Sequence, residues 1–420
     1  MNILSLRCDN LFMFKDFSVD FTYKRKRGQK EYEISKQDAL FHDSKIYVRK
    51  RLIILGGNAS GKTTFGRLLC AINNFIVGRE VKPSAVNLYQ ALCDKEKDGF
   101  FSVEFVVSIP NIETKKIEYW AYRIGCTFDI NGKQKEFLKR VRVYKSYTID
   151  KLRECLDREP EILSDVDFDK ADSLIEEAVR RRDNAPFNSI LLKEPENKKY
   201  LNELNFSIGF YYLFSSFADT SRDISNIVPI ELFNQVLPKI DNSISSVELL
   251  ATEETNVKTN SYLIRFKHGD PLTVPDNDLM RADRDRLSHG TYEVLSFLEI
   301  LAELRKRKDN IFYIDEQLAH LHPELEAYLL MKFFYSDASS QLFFTSHDND
   351  LLKLNVPSRT FLLFKRNEDQ SNTAMFMDEV LPENVRNIRY YYDNDYFGIM
   401  PDYSVLDDFF AAEEDPHEKK

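Results

Sequence analysis

Three short runs of the chain are almost wholly apolar and then stop abruptly at glycine, acid or histidine. They are Arg51-Leu-Ile-Ile-Leu55, Asn310-Ile-Phe-Tyr-Ile314 and Gln341-Leu-Phe-Phe-Thr345. Runs of this length, without alternation, predict strands buried on both faces. After the first, Phe65, Leu68, Leu69, Ile72 and Ile76 recur at helical spacing and predict a helix from Thr63 to Ile76. Elsewhere the pattern changes character. Ile3 to Phe21 reads as two short strands around a turn, alternating through Ser18-Val19-Asp20-Phe21. A polar stretch from Tyr23 to Ser44 reads as an insertion or hairpin. Phe101 to Tyr144 predicts a β-meander, with Asn131-Gly132 as a hairpin turn.

From about Thr148 to Lys239 the spacing becomes helical. In DKADSLIEEAVRRR the stripe is Leu174, Ile175, Ala178 and Val179; in YLNELNFSIGFYYLF it is Leu201, Leu204, Ile208 and Tyr211. Strands return at SVELLA and YLIRFKHGDPLTV, turning at His268-Gly269-Asp270. RLSHGTYEVLSF then opens a helix from Tyr292 to Arg307, striped by Val294, Leu295, Leu298, Leu301 and Ala302.

The length, 420 residues with 43% hydrophobic and 30% charged positions, fits two or three globular domains. The apolar runs are too short to span a membrane, and the N-terminus does not read as a signal peptide. Five scattered cysteines without a CxxC pair suit a reducing, cytoplasmic setting. A net charge of −10 counts against a dedicated duplex-DNA binder, leaving direct nucleic-acid binding open. The basic runs Lys24 to Arg27, Arg180 to Arg182 and Arg305 to Lys308 read as solvated faces.

The strongest motif is Gly56-Gly57-Asn58-Ala59-Ser60-Gly61-Lys62-Thr63, a GxxxxGK[ST] loop between a predicted strand and a predicted helix. Its backbone N–H groups and the helix start can cradle phosphates, Lys62 can reach the β- and γ-phosphates, and the Thr63 hydroxyl can ligate Mg²⁺. The loop therefore predicts binding of a nucleoside triphosphate. Asp315-Glu316, at the end of a buried run, supplies a carboxylate for the Mg²⁺ shell and a second one to face an attacking water. His347, at the end of QLFFTSHD, can hydrogen-bond the γ-phosphate and sense its loss. His320 and His322 lie too close together in sequence, with no clear third ligand, to suggest a metal. Ser288 can cap its helix and Gly290 permits close approach; that start is also an anion site.

The order of these elements resembles the ABC-type ATPases. GGNASGKTT, LSHGT, IDEQLAHLHPEL, QLFFTSHD and the later VRNIRYYYDNDYFGIMP look like the OLD/AbiLi-like branch, whose RloA- and PARIS AriA-like members are bacterial anti-phage defence ATPases. The resemblance covers about 1–145 and 245–400. It implies an α/β fold: an ABC-type P-loop ATPase head, a mixed sheet with an antiparallel β-lobe, interrupted by a helical insertion. The implied parts are 1–145 (Walker A and meander), 146–245 (helical arm), 246–405 (signature, Walker B and switch histidine) and an acidic tail, 406–420.

By position, Gly56, Asn58, Ala59, Ser60, Gly61, Lys62, Thr63 and Thr64 are the ATP-binding set. Thr63 and Asp315 would hold Mg²⁺, and Glu316 and His347 are the catalytic pair. Ser288 and Gly290 would act in trans on the nucleotide of a second copy. His289 and Thr291 depart from the transporter signature LSGGQ, which weakens a transporter assignment. Gln90 or Gln134 is offered as the Q-loop glutamine, and Phe12 or Phe14 as the adenine-stacking ring. The implied function is an ATP-gated switch that dimerises through its heads and controls a separate effector, a Toprim-type nuclease, in answer to a phage-encoded trigger. A RecF- or SMC-like repair ATPase is the alternative, although extended heptads and a CxxC hook are absent from the sequence.

Overall fold

A computed structural model describes residues 1–25, 37–78, 88, 91–128, 134–166, 189–214, 217–220, 230–250, 261–274, 286–306, 309–336, 339–382 and 387–399. The expected helix over 169–182, the turn over 130–133, Gln90, Arg180 to Arg182 and the tail 406–420 lie outside the described residues. The chain runs β1 (Asn2–Asp9), β2 (Phe17–Asp20), β3 (Thr22–Tyr23), β4 (Tyr47–Val48), β5 (Arg51–Gly56), α1 (Lys62–Val77), β6 (Gly99–Pro110), β7 (Ile117–Phe128), β8 (Gln134–Val143), α2 (Ile149–Arg158) and β9 (Ile162–Val166). It continues with α3 (Lys198–Ser207), β10 (Phe210–Phe214), β11 (Phe217–Thr220), α4 (Ile230–Ile240), β12 (Ile244–Leu250), β13 (Ser261–Phe266), β14 (Leu272–Val274) and α5 (His289–Lys306). Last come β15 (Ile311–Asp315), α6 (Pro323–Ser336), β16 (Gln341–Thr345), β17 (Phe361–Arg366), β18 (Asn372–Phe376), α7 (Met377–Val380) and α8 (Ile388–Asp393).

Two large sheets organise these elements. The first is a six-stranded antiparallel lobe in the order β2-β1-β6-β7-β8-β9. The second is seven-stranded, in the order β11-β10-β15-β16-β5-β17-β18. Its five inner strands pair in parallel, and antiparallel β11 and β18 close its two edges. A smaller sheet, β12-β13-β14, packs with α4.

The uninterrupted apolar runs are explained by burial on both faces of the central sheet. Every residue of β5, β15 and β16 is buried. Because successive side chains point to opposite faces, Leu52 and Ile54 join the core built around α1 and the lobe. Ile53 and Leu55 join the core around α5 and α6. The sheet thus forms the middle layer between two apolar cores, and the tips of its parallel strands are where the motifs emerge.

One expectation is corrected here. The stretch from Tyr200 to Phe214, expected as a single helix, is α3 followed by strand β10. The helical stripe is real as far as Leu204, but the chain turns extended after Ser207. The run Phe210-Tyr-Tyr-Leu-Phe214 is rich in aromatics that favour a pleated, buried surface. It pairs in parallel with β15, Tyr212 facing Tyr313 and Phe214 facing Asp315. Part of the expected helical arm is therefore a strand of the central sheet.

Candidate functional site

The phosphate loop leaves β5 at Gly56 and enters α1 through Gly61, whose φ is 107°. Buried Lys62 folds back over the loop, donating from Nζ to the carbonyls of Gly56 at 2.8 Å and Gly57 at 3.2 Å. Burial lowers its pKa, while the nearby Glu316 and Asp315 oppose that shift. Two residues from distant parts of the chain brace the loop. Asn372 Nδ2 donates to the Ser60 carbonyl at 2.6 Å, and the Tyr313 hydroxyl donates to the Lys62 carbonyl at 2.6 Å. The Ser60 hydroxyl is buried and has no hydrogen-bond partner among the described residues.

Asp315 ends β15 with no exposed surface. Its Oδ1 accepts from the Thr345 hydroxyl at 2.5 Å and its Oδ2 from the Tyr212 hydroxyl at 3.0 Å. The Thr63 side chain lies beside the same carboxylate. Burial raises the Asp315 pKa; the hydroxyls of Thr345, Tyr212 and Thr63 pull it down, and Glu316 adds to the rise. Thr345 also accepts the Glu316 N–H at 2.9 Å, so one hydroxyl bridges the two acids. Glu316 turns out of the strand with φ +50° and places Oε1 2.9 Å from His347 Nε2. Lys62, Thr63, Asp315, Glu316 and His347 thus converge at the tips of three adjacent parallel strands, β5, β16 and β15.

Ser288 and Gly290 lie at the start of α5. Ser288 caps it, accepting the Thr291 N–H at 3.0 Å, and its own hydroxyl lies 2.6 Å from that of Thr291. Gly290 packs on the loop after β15: a Cβ there would lie 3.0 Å from Leu321 Cδ2 and 3.1 Å from the His320 carbonyl oxygen. One turn along, the buried Glu293 carboxylate accepts the His320 N–H at 3.1 Å and meets His320 Nδ1 at 2.7 Å. The His320 and His289 rings stack 5.2 Å apart. His320 is thus tied to the start of α5, and among the described residues no His, Cys, Asp and Glu cluster is arranged to hold a metal.

Four supporting residues carry no motif: Tyr212, Thr345, Asn372 and Glu293. Thr345 alone left a signal, as the polar residue closing an apolar run. Phe14 is not available to a base, being fully buried against Phe17 and Phe65. Phe12 is half-buried. Gln134 is buried in the lobe, its Nε2 bonded to Glu136 at 2.7 Å.

The strand order, the glycine loop between β5 and α1 and the separate antiparallel lobe define the architecture. It is the α/β arrangement expected from the sequence, a mixed sheet with the phosphate loop at its strand tips and a separate antiparallel lobe. No family model matches the chain, and no curated protein matches it. Among solved structures it is similar to an Smc head bound to the C-winged helix domain of ScpA: 13% identity, TM-score 0.43, 91% of this chain and 100% of that one. It is also similar to the SMC head domain from Thermotoga maritima, with 9% identity, TM-score 0.36 and coverage of 90% and 99%. The recombination mediator RecF of the RecFOR pathway, described as RecF-ATPrS, is similar with 12% identity, TM-score 0.38 and coverage of 89% and 98%.

Proposed function

We propose that the chain binds and hydrolyses ATP as the switch subunit of a bacterial anti-phage system of the OLD/AbiLi-like kind. The observation that carries the ATPase reading is the convergence of Lys62, Asp315, Glu316 and His347 at adjoining strand tips. A loop that only bound phosphate would need Lys62 and its backbone. The second acid, held outside the strand in contact with a histidine, suits hydrolysis.

The residues fit Mg²⁺ and ATP. The loop carries a buried, unpartnered Ser60 hydroxyl and a lysine whose Nζ rests on backbone carbonyls. Asp315 and Thr63 form an all-oxygen pair of the kind that suits Mg²⁺. When bound, the cation would supply charge neutralisation at the β- and γ-phosphates. Lys62 would exchange its carbonyl partners for phosphate oxygens. Thr63 and Asp315 would hold the cation, Glu316 would accept a proton from water, and His347 would orient Glu316 and meet the γ-phosphate side.

The capped start of α5, where Ser288 is exposed and Gly290 is packed on the loop after β15, would complete the site of a second copy, with Ser288 and Gly290 acting in trans. ATP would then close two heads, and the segment 146–245 would pass that closure to a separate effector, a Toprim-type nuclease. Mixed assemblies test the composite site. Lys62→Ala and Ser288→Arg proteins, each inactive alone, should recover part of the wild-type hydrolysis when mixed. Verified mixed dimers without recovery would place each complete site within one chain. Co-purification with the product of the neighbouring reading frame separates defence from a RecF- or SMC-like repair role: a Toprim-like partner supports the first, a DNA-repair mediator the second.

A further inference from the structure

Asp315 is held through both of its carboxylate oxygens, by Thr345 on Oδ1 and Tyr212 on Oδ2, beside the first turns of α1. Thr63, in the first turn of α1, lies beside the Asp315 carboxylate and helps lower its pKa. Tyr212, on β10, donates to Asp315 Oδ2 at 3.0 Å. Arg67, one turn beyond Thr63 on the same helix, lies beside the Tyr212 hydroxyl, where its positive charge opposes the rise in pKa that burial imposes on it. The helix lies directly on the tyrosines because residue 66 is glycine. A Cβ there would come within 2.5 Å of Tyr313 Cε1 and 2.6 Å of Tyr212 Cε2.

A carboxylate group turns easily about its last torsion, which is broad and roughly two-fold. Fixing it requires hydrogen bonds on both oxygens. Thr345 fixes Oδ1 and Tyr212 fixes Oδ2. Neighbouring Tyr211 has a different task. Its side chain points to the opposite face of the sheet, where its hydroxyl donates to Glu303 Oε1 of α5 at 3.1 Å.

We propose that Tyr212 is a positioning residue for the divalent-cation site: its hydroxyl, oriented by Arg67, holds Asp315 in the rotamer that turns a free lone pair towards Thr63. This rests on the reading of Thr63 and Asp315 as the Mg²⁺ pair. Partners of this kind, one bond removed from a metal, change its affinity by about 10–100-fold when lost. β10 enters the chain from the segment expected to be an arm. The affinity of the head for its cation is therefore set by a strand that lies outside the recognisable motifs.

The test uses the full chain and a fluorescent methylanthraniloyl-ATP, titrated with Mg²⁺ and, separately, bound in EDTA. Tyr212→Phe keeps the ring and should raise the half-saturating Mg²⁺ by roughly tenfold, leaving nucleotide affinity in EDTA unchanged. Arg67→Met, an exposed change, should shift it the same way by a smaller factor. Tyr211→Phe removes an equally buried hydroxyl and should leave the Mg²⁺ response as in wild type. An unchanged response in Tyr212→Phe, or the same shift in Tyr211→Phe, overturns the proposal. If Tyr212→Phe fails to fold, an unchanged response in Arg67→Met overturns it alone. Asp315→Asn isolates the underlying reading: a wild-type Mg²⁺ response there removes Asp315 as a metal ligand, whatever Tyr212 does.

Discussion

Glu316 Oε1 and His347 Nε2 lie 2.9 Å apart, although they leave two different strands. The contact depends on Glu316 taking a left-handed backbone, φ +50°, immediately after Asp315. Thr345 supports that turn by accepting the Glu316 N–H. The next carboxylate after the buried acid is thereby turned towards the histidine.

Glu316→Gln should lose on the order of 10²–10⁴ in turnover, the usual worth of a placed general base, while nucleotide affinity stays near wild type. His347→Ala should lose less, because the carboxylate remains but is no longer held. Single-turnover phosphate release, read beside nucleotide binding, checks both. Wild-type turnover in His347→Ala would remove the histidine from the reaction.

Glu326, on α6, gives the protein a pH dependence of its own. It is buried, accepts the Ser346 hydroxyl at 3.0 Å, and burial pushes its pKa from 4.5 to about 7, with Asp348 and Glu293 adding to the rise. In the unfolded chain it ionises near 4.5, whereas in the fold it keeps its proton to about 7. Folding therefore holds a proton that the unfolded chain releases. Stability falls as pH rises through that interval and levels off above it, a total on the order of 3 kcal/mol. Glu326→Gln should flatten this part of the profile and be the more stable protein at pH 8. Denaturant midpoints at pH 5 and pH 8 measure it, and equal slopes for the two proteins would contradict it.

Gly66→Ala should cost about 1–3 kcal/mol by overpacking, since its methyl would enter the rings of Tyr212 and Tyr313. Gly269→Ala is the useful contrast. Nothing lies within 4 Å of its Cβ position, so only its φ of +96° opposes the change. That strain should cost about 1–2 kcal/mol without altering Mg²⁺ dependence, whereas Gly66→Ala should alter both. Thermal melts and Mg²⁺ titrations on the two variants distinguish them.

The strands that bear motifs were legible because burial on both faces leaves an unbroken apolar run, and chemistry then begins at its last residue. Arg51–Gly56, Ile311–Asp315 and Gln341–Thr345 all follow that rule. β10 obeys the same physics but was hidden. Leu201, Leu204, Ile208 and Tyr211 keep a helical interval across the break at Ser207, and a five-residue strand is too short to show a period of its own. Tyr212, Thr345 and Asn372 reach the site only through sheet pairing and loop packing. Spacing along the chain cannot reveal partners of that kind. Ser288 was legible as a cap from its type and place; a role towards a second copy is a property of an assembly, beyond any single chain's periodicity.

The position of β5 also imposes an order on synthesis. Its neighbours on the two sides are β16 and β17, residues 341–345 and 361–366, so the strand that carries the phosphate loop emerges from the ribosome long before either. Until then a strand apolar from Leu52 to Leu55 has both hydrogen-bonding edges open, the condition that invites mispairing with other chains. The antiparallel lobe, whose strands β1, β2 and β6 to β9 all lie within the first 166 residues, can form early and hold the nascent chain. A polypeptide cut short before residue 361 would carry the whole phosphate loop and still leave its strand unpaired on one side. Such a fragment should need chaperone protection and should aggregate without it.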